Sequence, residues 1–489
     1  MSDPTTRTAD GLLYIDGDLR EGLGLREVRS PATGEVVGRV AWASIADAEA
    51  ALLAAARAAD GWAAIGGGGR AQWMLALQRA VIDAEHELRA AVTAETGKTW
   101  EQSEDDHRLL VDALGFYADA ARTLGPEPLA DLAGTHRHEL RRVPIGVAVA
   151  FVAWNFPLLN IAYKIGPAMA AGAPLVLKPS ARTPLAASVL ARICAEVGLP
   201  DGVVNFVWGD DQAIGDALSS STIPALITLI GSTETGRHVM RTAATSIKRF
   251  SFELGGNAPA IVLPDADLEL AASVIGDLKF ANAGQVCVAP NRVLVHEDVA
   301  DDLVARLVER ARGVRVGVGD AGTVDMGPMI DERAVDRVLD LVSRAESDGA
   351  QVLAGGRRID DAPTRAWVEP TVVADVRGDM ALAEEEIFGP VVAVQRFADV
   401  DDAIARANDT DAGLSSFVFG TDPGLVARCV DELRFGEVQV NGVKYAIELP
   451  HGGFKQSGVG FDCSILALDD YLATQRVTTP VAAAPHGEQ

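Results

Sequence analysis

The sequence contains few cysteines, and their arrangement indicates neither a metal site nor a disulfide framework. Its four cysteines, Cys194, Cys287, Cys429 and Cys463, are far apart in a chain of 489 residues, with no Cys-x-x-Cys pair and no Cys/His cluster. A structural zinc site is therefore not indicated, and we expect no metal. Because nothing supports a disulfide framework, a reducing cytoplasm is the simplest compartment.

Positive charge and long apolar runs are also scarce. The 43 Lys and Arg residues are outnumbered by 69 Asp and Glu residues, which gives a formal net charge of -26. Such acidity repels phosphate backbones and anionic membrane surfaces, so we expect neither a nucleic-acid partner nor a membrane partner. The longest apolar runs, such as Val143–Trp154, are interrupted by Pro and Gly and are too short to span a bilayer. The first ten residues have no apolar core like that of a signal peptide.

No period of 20–50 residues repeats, which excludes a solenoid, and the chain instead alternates strands with helices. Runs rich in Val, Ile and Ala predict buried strands, and the segments between them have helical periodicity. This alternation predicts an α/β protein with βαβ units and parallel sheets. The pattern restarts after Gly255-Gly256, which predicts two successive α/β domains. The predicted strands include 143–152, 174–178, 203–207, 223–230, 258–263, 292–296, 351–353, 371–376, 391–397 and 417–419.

Four polar segments outside these strands receive local interpretations. Gly66–Gly69 is interpreted as a flexible break between helical regions, and Glu101–Asp106 as a solvated face of a helix. Residues 1–10 are expected to be disordered and the tail from Pro480 to be mobile.

Cys287 is the candidate nucleophile. It follows the Asn, Gly and Gln residues of segment 281–291, which predict a turn or an exposed loop. A thiol on such a loop, in a chain with few cysteines, is suited to nucleophilic catalysis. The alternative is that Cys287 is a small buried hydrophobe, as free cysteines usually are.

Three further polar side chains stand at the predicted ends of strands or before a turn. Asn155 has a side-chain amide that could donate to a developing negative charge, or it could form an Asx turn before a helix. Lys178 could bind ribose or phosphate oxygens, or it could simply be a solvated strand end. Glu253 precedes a Gly pair and, if partly buried, could act as a general base.

Two loops could contact a nucleotide. The small residues of Gly231–Gly236 enter a helix and offer free N–H groups to a pyrophosphate, although a capped helix start explains them equally. Glu384–Pro390 carries a carboxylate and an aromatic ring two residues apart, which suits a ribose hydroxyl and a flat ring. The alternative for this loop is an acidic run on the surface.

These motifs, in this order, resemble the NAD(P)-dependent aldehyde dehydrogenase superfamily of the non-acylating, hydrolytic type. The resemblance extends from Leu13 to about Thr478. The motifs that carry it are Trp154-Asn155-Phe156-Pro157, Gly231-Ser232-Thr233, Glu253-Leu254-Gly255-Gly256, Gly284-Gln285-Val286-Cys287, Glu386-Ile387-Phe388-Gly389-Pro390 and Pro450–Gly458.

The resemblance implies a three-part fold and an oligomer. It implies a Rossmann-like cofactor domain of residues 1–125 and 143–254 and an α/β catalytic domain of residues 255–440. A β-ribbon oligomerisation arm would comprise residues 126–142 and 465–489. Members of this superfamily are usually dimers or tetramers, so we expect a homodimer or homotetramer.

The resemblance also implies a mechanism for the oxidation of a small-molecule aldehyde to a carboxylic acid. Cys287 would attack the aldehyde carbon as a thiolate, while the Asn155 amide and the Cys287 backbone N–H hold the oxyanion. Hydride transfer to NAD or NADP would leave a thioester, and Glu253 would activate the water that hydrolyses it. The implied cofactor-binding residues are Trp154, Lys178, Ser180, Ala181, Arg182, Gly231, Ser232, Leu254, Glu386 and Phe388.

The chain departs from many NAD-preferring relatives three residues after the lysine. Those relatives carry a Glu that binds the adenosine ribose, whereas this chain has Ala181, followed by Arg182. Loss of the carboxylate removes repulsion toward a 2′-phosphate, and Arg182 could pair with that phosphate. We therefore hypothesise that NADP is tolerated, and a preference for NADP over NAD stays open. The alternative is that Arg182 points to solvent and NAD works well.

The substrate is inferred from residue types in the implied pocket. Succinate-semialdehyde dehydrogenases hold a carboxylate with two arginines, and the matching positions here are Tyr163 and Ala281, which argues against that specialisation. Glu448-Leu-Pro-His451 resembles the aminoaldehyde branch, which favours a small polar or amino-aldehyde, while an aromatic or aliphatic aldehyde stays open. The implied pocket residues are Phe156, Tyr163, Val286, Val288, Lys444, Glu448 and His451.

Three other classes of protein compete with this interpretation. A CoA-acylating relative usually lacks the glutamate that activates water, so Glu253 argues for hydrolysis. A non-catalytic protein on the same fold would not need Cys287, Glu253 and Asn155 together. A thiol hydrolase without a cofactor is the third class, and bound NAD(P) would exclude it.

Overall fold

The computed structural model describes residues 10–318 and 322–481, and these residues form two large sheets, a three-stranded sheet and a two-stranded sheet. The expectations of disorder for residues 1–10 and of a mobile tail from Pro480 fall, apart from residues 10, 480 and 481, outside the described residues.

Strands are numbered in chain order. They are β1 Leu13–Ile15, β2 Asp18–Arg20, β3 Leu25–Arg29, β4 Val36–Ala41, β5 Glu127–Leu129, β6 His136–Pro144, β7 Ala148–Val152, β8 Leu175–Pro179, β9 Val204–Phe206, β10 Leu226–Ile230, β11 Arg249–Glu253, β12 Pro259–Val262, β13 Arg292–His296, β14 Gln351–Ala354, β15 Thr371–Ala374, β16 Val391–Phe397, β17 Ser415–Phe419, β18 Glu437–Val440, β19 Gly458–Val459 and β20 Leu472–Pro480.

Helices are numbered in the same way. They are α1 Ile45–Ala64, α2 Gly66–Asp83, α3 Glu85–Thr96, α4 Ser103–Thr123, α5 Pro157–Ala171, α6 Leu185–Val197, α7 Asp211–Ser220, α8 Thr233–Thr242, α9 Leu268–Phe280, α10 Glu297–Gly313, α11 Glu332–Ser347, α12 Ala381–Glu384, α13 Val400–Asn408, α14 Pro423–Glu432 and α15 Ala467–Tyr471. In the part of the chain that the structure describes, no helix is both long enough and apolar enough to cross a membrane.

The first large sheet has the strand order β19-β11-β10-β7-β8-β9-β1-β2. Its five central strands, from β11 to β9, are parallel, whereas β1 and β19 run antiparallel to their neighbours. Every residue of β7, β8 and β10 is buried, as expected for strands covered by helices on both faces. The predicted parallel α/β architecture is therefore confirmed.

The second large sheet begins with β12, immediately after Gly255-Gly256, where the sequence pattern restarts. Its order is β14-β15-β16-β13-β12-β17-β18, and all pairs are parallel except β14 with β15. After β18 the chain returns to the first sheet, because β19 pairs with β11 there. The exact residue boundaries of the implied domains stay a prediction.

A separate antiparallel sheet of order β20-β6-β5 matches the position of the implied arm. The pairing between β6 and β20 runs from Leu472 opposite Pro144 to Pro480 opposite His136. The residues of β6 are exposed or half-buried along its whole length, which is unusual for a strand at the centre of a sheet. A partner that covers this arm would remove its polar backbone and side chains from solvent.

The segment Gly66–Gly69 is not a flexible break, so that prediction was wrong. Helix α2 begins at Gly66, directly after α1 ends at Ala64. A Cβ atom at Gly67 would lie 1.9 Å from the carbonyl oxygen of Ala121 in α4. Gly67 therefore allows a close contact between α2 and α4.

The acidic segment Glu101–Asp106 is not a fully solvated helix face, because Asp106 is completely buried. Its carboxylate pairs with the ammonium of Lys98 at 2.6 Å. It also accepts hydrogen bonds from the backbone N–H groups of Leu158 and Leu159, at 3.1 and 3.2 Å. Asp106 thus satisfies donors at the beginning of α5, the helix that follows Asn155.

We predict that Lys98→Met lowers the free energy of unfolding by about 3–5 kcal/mol, because it leaves the Asp106 carboxylate buried without its counter-ion. Urea unfolding followed by circular dichroism measures the change. Lys98→Met combined with Asp106→Asn, which keeps an acceptor for α5 but removes the charge, should recover part of the loss. Arg192→Met, which breaks an exposed pair with Glu87, should cost less than about 1 kcal/mol. Equal losses for Lys98→Met and Arg192→Met would contradict the prediction.

Candidate active site

The carboxyl ends of four neighbouring strands of the first sheet carry most of the predicted site residues. Asn155 follows β7, Lys178 lies near the end of β8, Gly231 follows β10 and Glu253 ends β11. From β7 the chain runs to β8 and β9 on one side and then returns to β10 on the other. The strand order therefore reverses between β7 and β10, the place where α/β sheets bind ligands.

A cavity of about 740 Å³ lies at this reversal point. Strand ends and loops of the first sheet line one side of it, and loops and helices connected to the second sheet line the other. All three predicted catalytic side chains face it, together with most of the predicted cofactor and substrate residues. The predicted residues that line it are Trp154, Asn155, Phe156, Tyr163, Gly231, Ser232, Glu253, Leu254, Val286, Cys287, Val288, Glu386, Phe388 and His451.

The predicted residues after β8 lie outside this cavity. Lys178 is buried and its ammonium pairs with the carboxylate of Asp211, which also accepts the N–H of Ala181 at 3.2 Å. The backbone N–H of Arg182 donates to the hydroxyl of Ser180 at 3.3 Å. Sequence analysis missed Asp211, which is distant in sequence and sits in an acidic stretch that looks like an ordinary helix start.

Lys444 and Glu448 also lie away from the main cavity. The two side chains are exposed and 3.9 Å apart. Lys444 lines a smaller cavity of about 210 Å³, which shares Tyr163, Tyr445 and His451 with the main one. Glu448 lines neither of these cavities.

The loop that carries Cys287 is shaped by left-handed backbone at three consecutive residues. After α9 ends at Phe280, Asn282, Ala283 and Gly284 have φ angles of 48°, 52° and 72°. A Cβ atom at Gly284 would lie 2.2 Å from the carbonyl oxygen of Gly389. Glycine is therefore required there, both for the backbone conformation and for the close approach of the 386–390 segment.

Buried amides join this loop to the strand-end loop of the first sheet. The Asn155 amide donates to the Gln285 carbonyl at 3.1 Å, and the Asn282 amide donates to the Asn155 carbonyl at 3.0 Å. The Gln285 side chain accepts the N–H of Ile330 at 2.8 Å and donates to the Asn282 carbonyl at 2.9 Å. These contacts hold Asn155 beside the Cys287 loop, with its amide oriented toward that loop.

Cys287, Glu253 and His451 form one group at the bottom of the cavity. The Cys287 Sγ, a carboxylate oxygen of Glu253 and a ring nitrogen of His451 all lie within 4.8 Å of one another. Glu253 is buried, and its Oε1 has no hydrogen-bond partner among the described residues. Burial and the Glu253 carboxylate raise the pKa of the Cys287 thiol to about 12, and a hydrogen bond to His451 opposes this rise.

His451 is held by a second carboxylate that sequence analysis missed. Its Nδ1 lies 2.5 Å from Oε1 of Glu437, and its Nε2 lies 3.7 Å from Oε1 of Glu253. Burial alone would lower the pKa of His451, but the Cys287 thiol and the Glu253 and Glu437 carboxylates around its ring raise that pKa well above its ordinary value. No local pattern connects Glu437 with His451, because they meet only through the return of the chain after β18.

The Glu386 loop lines the same cavity and is fixed by contacts on both sides. The Glu386 carboxylate accepts the N–H of Gly256 at 3.0 Å, and burial raises its pKa to about 7. The Arg337 guanidinium donates to the carbonyls of Glu386 and Ile387, at 2.6 and 2.9 Å. Phe388 has a left-handed φ of 49°, and its ring packs edge-on against Trp154 at 5.6 Å.

The small-residue loop after β10 begins α8 at the cavity wall. The Ser232 hydroxyl accepts the Thr235 N–H at 3.2 Å, so the loop forms the capped helix start that was the alternative interpretation. Capping and anion binding are compatible, because the first turn of a helix has more N–H groups than one hydroxyl satisfies. With Glu386, Leu254 and Phe388 on the same wall, the cavity has donors, a carboxylate and apolar surfaces that fit a dinucleotide.

Comparison with known proteins adds independent findings. The model of the aldehyde dehydrogenase family matches residues 21–477. A probable succinate-semialdehyde dehydrogenase [NADP(+)] from Sinorhizobium fredii (strain NBRC 101917 / NGR234) is 38% identical over 447 residues, covering 91% of each chain. A lactaldehyde dehydrogenase from Escherichia coli (strain K12) is 36% identical over 470 residues, covering 95% of this chain and 98% of the relative.

Solved structures agree with these sequence matches. A betaine aldehyde dehydrogenase from Staphylococcus aureus, in complex with NAD+, superimposes with a TM-score of 0.94 at 32% identity. The match covers 98% of this chain and 96% of the other. The similarity therefore extends over both large sheets and the antiparallel arm.

We predict that Gly284→Ala destabilises the protein by more than about 1 kcal/mol, since its φ is positive and its Cβ meets the Gly389 carbonyl. The midpoint of thermal unfolding measures the effect. Gly68→Ala is the matched control, because its Cβ meets nothing within 4 Å and the position is helical. This control should be neutral or stabilising by about 0.4–1 kcal/mol. A Gly284→Ala protein as stable as the Gly68→Ala protein would show that the loop adjusts freely.

Proposed function

Because the chain belongs to the aldehyde dehydrogenase family and is an NAD(P)-dependent oxidoreductase of aldehydes, we propose that Cys287, Asn155 and Glu253 perform its chemistry. The observation that supports these roles is their convergence on one cavity from loops of two different sheets. Cys287 supplies the nucleophile, Asn155 an amide donor and Glu253 a buried carboxylate whose Oε1 has no hydrogen-bond partner among the described residues.

In this proposal Cys287 attacks the aldehyde carbon as a thiolate and forms a thiohemiacetal. The Asn155 amide, which its contact with Gln285 orients toward the Cys287 loop, donates to the oxyanion, with the Cys287 backbone N–H as the second donor. Loss of hydride from the former aldehyde carbon leaves a thioester on Cys287. Glu253 then takes a proton from the water that hydrolyses the thioester, which releases the carboxylic acid and the free thiol.

When bound, NAD(P) supplies the nicotinamide ring that accepts the hydride. Glu386 would bind a ribose hydroxyl, Ser232 and the beginning of α8 the pyrophosphate, and Phe388 would pack near the nicotinamide ribose. Trp154, Gly231 and Leu254 complete the wall that connects this region to Cys287. Lys178 would bind the adenosine ribose beyond the cavity.

Two charged side chains near the expected adenosine ribose favour opposite cofactors, one NADP and the other NAD. Arg182 is exposed, as a residue that binds a 2′-phosphate should be, but its guanidinium pairs with Asp331 at 2.7 Å and lies 5.9 Å from the Trp154 ring. Asp211, paired with Lys178, places a carboxylate beside Ala181, where many NAD-preferring relatives have a Glu. We propose that both cofactors are used, with Arg182 favouring NADP and Asp211 favouring NAD.

The substrate we propose is a small polar aldehyde, either hydroxylated or amino-substituted. Tyr163 lines the cavity at one position where an arginine would hold a carboxylate, and Ala281 lines it at the other. The arginines that do line it are engaged elsewhere: Arg337 with the Glu386 loop, and Arg108 with Asp105 at 2.7 Å. The E. coli and S. aureus proteins act, by name, on lactaldehyde and betaine aldehyde, whereas the S. fredii relative is named for succinate semialdehyde.

We also propose a homodimer or homotetramer assembled through the β20-β6-β5 arm, working in a reducing cytoplasm. The exposed central strand of the arm supports the first proposal. The four free cysteines, three of them buried, support the second.

The test is reduction of NAD and NADP by a panel of aldehydes: lactaldehyde, 4-aminobutyraldehyde, betaine aldehyde, succinate semialdehyde, benzaldehyde and a short alkanal. We expect a hydroxylated or amino-substituted aldehyde to have the highest kcat/KM and Cys287→Ala to abolish the reaction. Asn155→Ala should lower kcat by roughly 10²–10³, the usual effect of removing an oxyanion donor. Highest kcat/KM for succinate semialdehyde would overturn the substrate proposal, and activity in Cys287→Ala would overturn the mechanism.

The cofactor proposal predicts opposite effects for two substitutions. Arg182→Glu should lower the ratio of kcat/KM with NADP to that with NAD, because it replaces a cation with a repelling carboxylate. Asp211→Asn should raise the same ratio, because it removes a negative charge near the expected 2′-phosphate. Arg192→Glu, an exposed substitution on α6, is the control for a general change of surface charge. An unchanged ratio in Arg182→Glu would show that Arg182 does not contact the phosphate.

A further inference from the structure

His451 has a polar environment that the proposed mechanism does not use. The His451 N–H donates to the Asp462 carbonyl at 2.8 Å, and the His451 carbonyl accepts the Asp462 N–H at 2.7 Å. Both backbone groups of His451 are therefore held by one residue. Its ring lies between two carboxylates: that of the half-buried Glu437 at Nδ1 and that of the buried Glu253 at Nε2. The same ring contacts the Cys287 thiol. A histidine that only lines a substrate pocket does not need a carboxylate such as that of Glu437 at its Nδ1.

We propose that His451, held as an imidazolium by Glu437, is a further catalytic residue: it is the cation that stabilises the thiolate of Cys287. The inference rests on the proposed function of Cys287 as the nucleophile. Glu437 is a positioning residue in this arrangement, because it contacts His451 and not the reacting atoms.

The charges around the ring favour the imidazolium form. Apart from Glu253 and Glu437, the ionisable groups facing His451 are Tyr163, Tyr445, Cys463 and Asp462. Burial raises the pKa of both tyrosines and of Cys463, so these three groups are neutral. The Asp462 carboxylate is paired with the Lys164 ammonium, at 2.6 and 2.7 Å to its two oxygens.

Two carboxylates therefore face one imidazole, and among the residues that the structure describes, the ionisable groups that face His451 include no second unpaired cation. Burial of this unbalanced negative charge is costly, and a protonated His451 reduces it. Burial, and after it the Glu253 carboxylate, disfavours a thiolate on Cys287 and raises the pKa of the thiol. A cation next to the sulfur favours the thiolate, and the His451 ring, which opposes the rise in the thiol pKa, is placed to provide that cation.

The proton transfer that this arrangement allows conserves charge. The S–H bond of Cys287 breaks, an O–H bond forms at the free Oε1 of Glu253, and the negative charge moves from the carboxylate to the sulfur. The imidazolium of His451 contacts both groups and stays protonated throughout. Glu253 then loses this proton to solvent before it activates the hydrolytic water.

The experiment is alkylation of Cys287 by iodoacetamide as a function of pH, without aldehyde or NAD(P), with the Cys287 peptide quantified by mass spectrometry. The thiolate is the reactive form, so the pH of half-maximal rate reports the pKa of this one thiol. His451→Gln should raise that pH by about one unit or more, and the rate below it should fall about tenfold.

Two further variants separate the roles of the carboxylates. Glu437→Gln should shift the midpoint upward by a smaller amount, because His451 keeps its place but is less readily protonated. Glu253→Gln should shift it downward, because it removes a negative charge beside the sulfur. A purely structural role of His451 would not produce shifts of opposite sign.

His238→Gln is the matched control, since His238 also pairs with a carboxylate, Asp216 at 2.6 Å, but lies on α8 away from Cys287. Its alkylation profile should equal that of the unsubstituted protein. An unchanged or lowered midpoint in His451→Gln would overturn the proposal. If His451→Gln does not fold, the nearly isosteric Glu437→Gln variant tests the proposal instead. An unchanged pH of half-maximal alkylation in Glu437→Gln would then overturn the proposal. Failure of the proposed function is distinguished by the aldehyde assay of Cys287→Ala.

Discussion

The active site depends on the contact between two loops that belong to different sheets. Asn155 follows a strand of the first sheet, and the Cys287 loop precedes a strand of the second. The hydrogen bonds between Asn155, Asn282 and Gln285 join these loops in a buried region where unpaired amides would be costly. If this junction separated, the nucleophile and its amide donor would belong to two unconnected surfaces.

Glycines make the junction possible by allowing backbone to approach backbone. A Cβ atom at Gly256 would lie 2.4 Å from the Cys287 carbonyl, and one at Gly284 would meet the Gly389 carbonyl. The backbone after β11 therefore packs directly against the backbone of the Cys287 loop, and that loop packs directly against the backbone of the Glu386 loop. This explains why the catalytic and cofactor motifs are each rich in small residues.

Buried ion pairs support the site from behind. Lys98 and Asp106 hold the beginning of α5, and Lys164 of α5 pairs with Asp462, whose backbone anchors His451. Separating either pair would leave a buried charge without its counter-ion, which is costly, so both pairs restrict how α5 can move. The helix that positions Tyr163 is therefore held at its N-terminal end by Asp106 and, through Lys164, by Asp462.

The sequence by itself determined the α/β class and the chemical identity of the site. Strands buried on both faces read as continuous apolar runs, and Asn155, Lys178 and Glu253 lie at their ends, where ligands of parallel sheets bind. Cys287 could be singled out because cysteines are few and turn residues precede it. These signals depend only on residues that are neighbours in sequence, so they can be recognised without the tertiary structure. The interpretation of Gly66–Gly69 failed because glycine is favoured both in flexible breaks and where two helices approach closely, and the sequence does not distinguish the two cases.

Only the tertiary structure decided which charges are buried and which side chains meet. Asp106 sits in an acidic run that looks solvated, yet its burial depends on Lys98 and on the position of α5. Asp211 reaches Lys178 only because β8 and α7 are adjacent in the fold. The pairing of Glu437 with His451 follows from the return of the chain to the first sheet after β18. The paired residues are between 8 and 33 positions apart. No local sequence pattern predicts their burial or the electrostatic environment that they create, because both depend on how the surrounding elements pack.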